Sequence, residues 1–141
     1  MKISVSHSKN LHFLANARQF KDFHIDEPES FHGTDLGHSS VEYVLIGIVG
    51  CLGSTLAYCL QLKNIEIEDL EVIVDGKLRH SGPKLSLNLA NIKAEILLSV
   101  KSGTSSEEVD NCINNFQEHC VVSNSIIQGV PIEVKVSQKK K

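Results

Sequence analysis

The sequence predicts an α+β domain in which antiparallel strands wrap around one long apolar helix, in the order βββ-α-ββ-αα-β. Three observations carry that prediction. Apolar and polar residues alternate before residue 26 and again between 65 and 100; the 18 residues Tyr43 to Leu60 hold no charge; and a capped, acidic helix start lies at residues 104–108. At 141 residues the chain has the size of one domain, spanning 1–141, and the basic end, residues 136–141, reads as a solvated tail.

Element by element, Lys2 to Ser6 alternates, Lys9-Asn10 is a turn, and His12 to Arg18 and Phe20 to Ile25 continue with period two. Residues 26–37 (DEPESFHGTDLG) have no periodicity and are rich in turn formers, so they form a loop of functional or interface-forming length. Ser39 and Glu42 then form a capping-box pattern that opens the apolar helix. Its length raises a membrane span. Gly47, Gly50, Gly53, Ser54, Thr55 and two cysteines, with no positive cluster at either end, favour a buried helix instead. A helix apolar on every face must be covered on every face, by a sheet or by a second copy of the chain.

Asn64 closes that helix. Ile65 to about Arg79 alternates, with Asp75-Gly76 as a turn or bulge, and Leu85 to Val100 alternates again with a phase shift near Ala90-Asn91. Thr104 to Glu108 opens a second helix carrying Val109, Cys112, Ile113 and Phe116 at helical spacing. Val122 to Gln128 is a short helix ending at Gly129, and Pro131 to Val136 alternates as a closing strand.

Composition excludes several function classes. Net charge is −3, aromatic residues make up 5% and Trp is absent, so neither a nucleic-acid footprint nor a base-stacking platform is expected. The cysteines Cys51, Cys59, Cys112 and Cys120 form no Cys-x-x-Cys pair, and the seven histidines lack metal-ligand spacing, so no metal and no cofactor are expected. The N-terminus has no apolar signal core, which points to a cytoplasmic protein in which a disulfide framework is improbable.

Cys51 sits mid-helix among small residues, and Cys120 lies at a junction beside a helix N-terminus that would lower its pKa. On spacing alone both are either reactive thiols or small buried hydrophobes. Cys59 and Cys112 read as core. A Cys/His hydrolase using His119 and Cys120 ranks low, because the two point to different faces and no orienting partner is apparent.

Ser39-Ser40-Val41-Glu42-Tyr43-Val44-Leu45 followed by Gly50-Cys51-Leu52 resembles the helix of the OsmC/Ohr family (osmotically inducible protein C and organic hydroperoxide resistance proteins). Cys120-Val121-Val122-Ser123 with Gly129 to Val134 is similar to that family's second-cysteine block and closing strand, and Asp26-Glu27-Pro28 with Gly33 to Gly37 to its loop. The resemblance covers about Arg18 to Val136; Ser40 departs from it, standing where the family usually has Pro.

What the resemblance implies is an intertwined homodimer acting as a thiol-dependent peroxidase on organic or inorganic hydroperoxides, with a dithiol as reductant. Cys51 matches the peroxidatic cysteine and Cys120 the resolving one. Arg18 would stabilise the thiolate and Glu42 matches the family carboxylate, although Glu42 equally serves the capping box with Ser39. Nine residues at 100° place Glu42 opposite Cys51 on a straight helix, so it acts there only through a kink or in the partner subunit's site. The alternative function is a non-catalytic dimeric module that binds a hydrophobic small molecule at the subunit interface.

Overall fold

A computed structural model describes residues 1–138 of the protein. Strands β1 (Ile3–Lys9), β2 (His12–Ala17) and β3 (Phe20–Ile25) are followed by helix α1 (Ser40–Leu62). Strands β4 (Ile67–Ser81) and β5 (Ser86–Val100), then helices α2 (Ser106–Asn115) and α3 (Val121–Gln128), complete the order, with short 3-10 turns at Glu29–Phe31 and Phe116–His119. The α+β class and the antiparallel sheets are those the sequence predicts. The chain divides into two compact units: Met1–Val49 with Ile73–Glu95, and Gly50–Val72 with the chain from Ile96 onward.

In the first unit β1, β2 and β3 form an antiparallel meander with Ile3 opposite Ala17 and Phe13 opposite Ile25. Both turns place a non-glycine residue in the left-handed region, Asn10 at φ 50° and Arg18 at φ 55°. Arg18 thus stands in the tight turn between β2 and β3, not on a strand.

The loop after β3 is organised by Asp26, whose side chain is fully buried. Its carboxylate accepts the N–H groups of Glu27 (2.9 Å), Thr34 and Leu36 (both 3.2 Å) and the Thr34 hydroxyl. The Thr34 hydroxyl most of all, then the Leu36, Glu27 and Thr34 N–H groups, hold this acid below its ordinary value although burial pushes it up. A loop with no sequence periodicity is therefore fixed by one saturated anion.

Helix α1 begins as its sequence indicates: Glu42 N–H donates to Ser39 Oγ (3.2 Å) and Ser39 N–H to Glu42 Oε2 (2.7 Å), a complete capping box. It ends with Asn64 at φ 55° and Ile65 N–H returning to the Leu60 carbonyl (2.9 Å). Between those ends only one stripe, Ile48, Leu52, Leu56 and Leu60 at intervals of four, is buried. Val44, Ile46, Tyr58 and Leu62 are exposed, so the helix is not covered on all faces by its own chain. By length and composition α1 is apolar enough to cross a membrane, a test that core helices of soluble proteins also pass.

Strands β4 and β5 pair as one hairpin. Lys101 N–H meets the Glu66 carbonyl (3.1 Å) and Ser99 Oγ meets Glu68 (3.1 Å), a register running in opposite directions along the two strands. β4 runs unbroken through Asp75-Gly76, where the sequence suggests a turn or bulge. The glycine is there for space, because a Cβ would stand 2.9 Å from the Leu45 side chain.

Helix α2 starts from Ser105, which accepts Glu108 N–H, with Glu107 and Glu108 in the first turn. Helix α3 stops at Gly129, φ 69°. The predicted closing strand is the element that differs: residues 131–138 have no strand structure. Ile132, Val134 and Val136 are 84%, 81% and 87% exposed. Alternation alone does not make a strand; a neighbouring edge must accept its hydrogen bonds. Of the predicted tail, Lys139 to Lys141 lie outside the described residues.

Candidate active site

The second unit brings Cys51 and Cys120 together, both as free thiols. Cys51 lies on the middle of α1, half-buried, and Cys120 is the fully buried residue that caps α3. The first N–H groups of a helix have no partner inside it. Here Val122 N–H spends that unmet donor on Cys51 Sγ, at 3.5 Å.

The thiol of Cys51 feels opposing effects. Burial, the largest, pushes its pKa up. Val122 N–H, then the Cys120 thiol, the Thr55 hydroxyl and Val121 N–H pull it down and together prevail, so Cys51 ionises more readily than an ordinary thiol. Thr55 contributes modestly, because its hydroxyl lies 4.0 Å from the sulfur and donates to the Cys51 carbonyl at 2.7 Å. The positive end of the α3 dipole favours the same anion. The sequence places the influence of that helix start on Cys120, whose own side chain makes no cap hydrogen bond; the structure shows its N–H groups turned on Cys51.

Arg18 and Glu42 belong to the first unit. The exposed Arg18 guanidinium lies over the Phe20 ring, 5.3 Å from its centroid. Glu42 is held in the capping box through Oε2; the Ser39 N–H and hydroxyl lower its pKa against burial, with His38 adding a smaller pull.

Cys59 and Cys112, read from the sequence as core thiols, instead form a disulfide with a Cα–Cα distance of 5.7 Å. The sequence reading of an improbable disulfide is thereby corrected. Its signal lies in the spacing: eight residues separate Cys51 from Cys59 on α1, and eight separate Cys112 from Cys120. Two cysteine pairs with equal offsets are what two chain segments running antiparallel past each other produce. Beside the disulfide a cavity of about 570 Å³ is lined by Ser54, Thr55, Tyr58, Cys59, Leu62, Asn115, Phe116 and His119. Among the described residues no group of three or more His, Cys, Asp or Glu side chains is placed to hold a metal.

Comparison with known proteins supplies the family. The OsmC-like protein family model matches residues 33–135. An OsmC-like protein of Mycoplasma pneumoniae shares the fold with a TM-score of 0.73 at 21% identity, over 92% of this chain and 87% of that one. An organic hydroperoxide resistance protein OsmC, a predicted redox protein of Legionella pneumophila, gives 0.62 at 16% identity, over 89% and 87%. The organic hydroperoxide resistance protein OhrB of Bacillus subtilis gives 0.59 at 19%, over 91% and 90%. No curated protein sequence matches. At these identities the structures speak for the fold, and the family match across most of the length decides the rest: the chain belongs to the OsmC-like protein family.

Proposed function

We propose that the protein is a cysteine-based peroxidase that reduces hydroperoxides through Cys51 and Cys120. One observation carries the reading: Cys51 Sγ receives an N–H from the start of α3, and the thiol of Cys120, the residue that caps that helix, helps hold its pKa down. A nucleophile needs a thiolate, and a disulfide-forming cycle needs a second thiol within reach. In the cycle, the Cys51 thiolate attacks the distal oxygen of the hydroperoxide and the O–O bond breaks. The alkoxide leaves and takes a proton from water as the alcohol, and Cys51 becomes a sulfenic acid. The Cys120 thiol then attacks that sulfur, water departs, and a Cys51–Cys120 disulfide remains for a dithiol to reduce by exchange.

The acting species in this reading is a homodimer. Support comes from apolar surface left uncovered in each unit: Ile3, Val5, Phe20 and Phe23 in the first, Ile132, Val134 and Val136 in the second. Arg18 and Glu42 complete the site in that dimer. Arg18 forms no ion pair among the described residues, and Glu42 commits only Oε2 to its cap, so each keeps the capacity to pair.

The test is stopped-flow consumption of an organic hydroperoxide and of hydrogen peroxide with dithiothreitol present, on wild type, Cys51→Ser and Cys120→Ser. Turnover lost with Cys51→Ser, and a mass loss of two hydrogens that needs Cys120 when the dithiol is left out, is the expected result. Wild-type protein that consumes no peroxide and forms no disulfide would leave the hydrophobic-ligand module as the better reading.

A further inference from the structure

We infer that the Cys59–Cys112 disulfide is a second redox site, opened by a small dithiol that enters through the cavity beside it. The inference does not depend on the hydroperoxide reading.

The two cysteines are unequally exposed. Cys112 is fully buried, whereas Cys59 is half-buried and lines the cavity. Thiol–disulfide exchange requires an attacking thiolate to reach one sulfur along the S–S axis while the other leaves. A disulfide with both sulfurs enclosed resists that attack; this one presents Cys59 to a space of about 570 Å³. That volume fits a small molecule. Tyr58, Leu62 and Phe116 offer apolar wall for a short carbon chain, and Ser54, Asn115 and His119 offer polar groups for its hydroxyl or amide end.

The reagent must carry two thiols. Attack by its first thiolate forms a bond to Cys59 Sγ and breaks the bond to Cys112, which leaves with the electron pair and takes a proton. A monothiol stops there, and Cys112, held 5.7 Å away between Cα atoms, re-attacks and expels it. In a dithiol the second thiolate attacks the reagent's first sulfur, breaks its bond to Cys59 Sγ, and the reagent departs as a cyclic disulfide while Cys59 leaves as thiolate and takes a proton. Two electrons and two protons pass to the protein, and the reagent is oxidised. Ring closure within the reagent competes with recapture by Cys112 because both are intramolecular.

The experiment uses full-length protein in native buffer. Oxidised protein is mixed with dithiothreitol or with 2-mercaptoethanol and quenched at intervals with N-ethylmaleimide. Peptide mapping then follows Cys59 and Cys112 separately from Cys51 and Cys120. A Cys51→Ser/Cys120→Ser protein is run in parallel, so the result stands whether or not peroxide is a substrate. Expected are a reduction rate proportional to dithiothreitol, a rate about tenfold lower with 2-mercaptoethanol, and a further drop of about tenfold in Ser54→Phe, which fills the cavity from an exposed helix position. A rate independent of reagent concentration and equal to the unfolding rate, or one unchanged in Ser54→Phe with circular dichroism intact, overturns the proposal and makes the bond a structural staple.

Discussion

Asp26 and Cys51, one in each compact unit, are both acids that burial and hydrogen-bond donors pull in opposite directions. In both, burial raises the pKa and N–H or hydroxyl donors more than offset it. The difference lies in how completely the anion is satisfied. Asp26 collects three backbone N–H groups and a hydroxyl, which leaves no room for a ligand and turns the carboxylate into the centre of a loop. Cys51 has one well-placed backbone donor at 3.5 Å and a second thiol for a neighbour. An anion that is favoured but not saturated can still act as a nucleophile. A lowered pKa therefore marks chemistry only where capacity remains.

The sharpest way to break that comparison is to remove the unsaturated anion. Cys51→Ser should lower peroxide turnover about a thousandfold or more, to background, in the stopped-flow assay, since no other thiol is positioned to replace it. A second change leaves the thiol and removes its donor. Val122 lies in the first turn of α3, where an N–H has no helical partner, so Val122→Pro deletes the bond to Cys51 Sγ without breaking an intrahelical one. Iodoacetamide alkylation against pH reads the result. The wild-type midpoint should lie below the 9.0 of an ordinary thiol and that of Val122→Pro nearer to it, with neutral-pH reactivity about tenfold lower. Equal midpoints would show that the helix start does not hold the thiolate.

The two anions also differ in how far the sequence discloses them. Helix ends are local, and the sequence names them: the Ser39–Glu42 box, Asn64, Ser105 and Gly129 all stand where their residue types indicate. Position and resemblance single out Cys51 and Cys120, yet spacing alone leaves open whether they are reactive. Which sulfur receives the α3 donors depends on where α1 passes the start of α3, and that is tertiary. Asp26 stayed hidden because its partners lie one, eight and ten residues away in a segment without period. The Cys59–Cys112 bond is written in the matched eight-residue offsets, but not in the residue types around either cysteine. The alternation of Pro131 to Val136 does not become a strand, because no neighbouring edge among the described residues accepts its hydrogen bonds.

Acid titration sharpens the saturated side. The folded Asp26 carboxyl titrates below 3.8 and the unfolded one near it. Its ionised form therefore stabilises the protein above that pH, and the contribution is lost as pH falls through the lower, folded value. Asp26→Asn should be less stable than wild type at neutral pH by chemical denaturation, and the gap should narrow below pH 3.8. A gap independent of pH would mean that the donors hold the loop regardless of charge.

The smallest effects separate the two roles of Glu42. As a cap, its Oε2 accepts Ser39 N–H, and a neutral glutamine keeps that acceptor, so Glu42→Gln should leave thermal stability nearly unchanged. Ser39→Ala removes the reciprocal bond to Glu42 N–H and should cost about 1 kcal/mol, read as a lower melting temperature. In the proposed pairing with Arg18, Glu42 would act through its charge, which glutamine lacks. Peroxide turnover should then fall severalfold in Glu42→Gln and stay near wild type in Ser39→Ala. If turnover instead follows melting temperature across the two variants, the carboxylate serves the start of α1 and the site is complete without it.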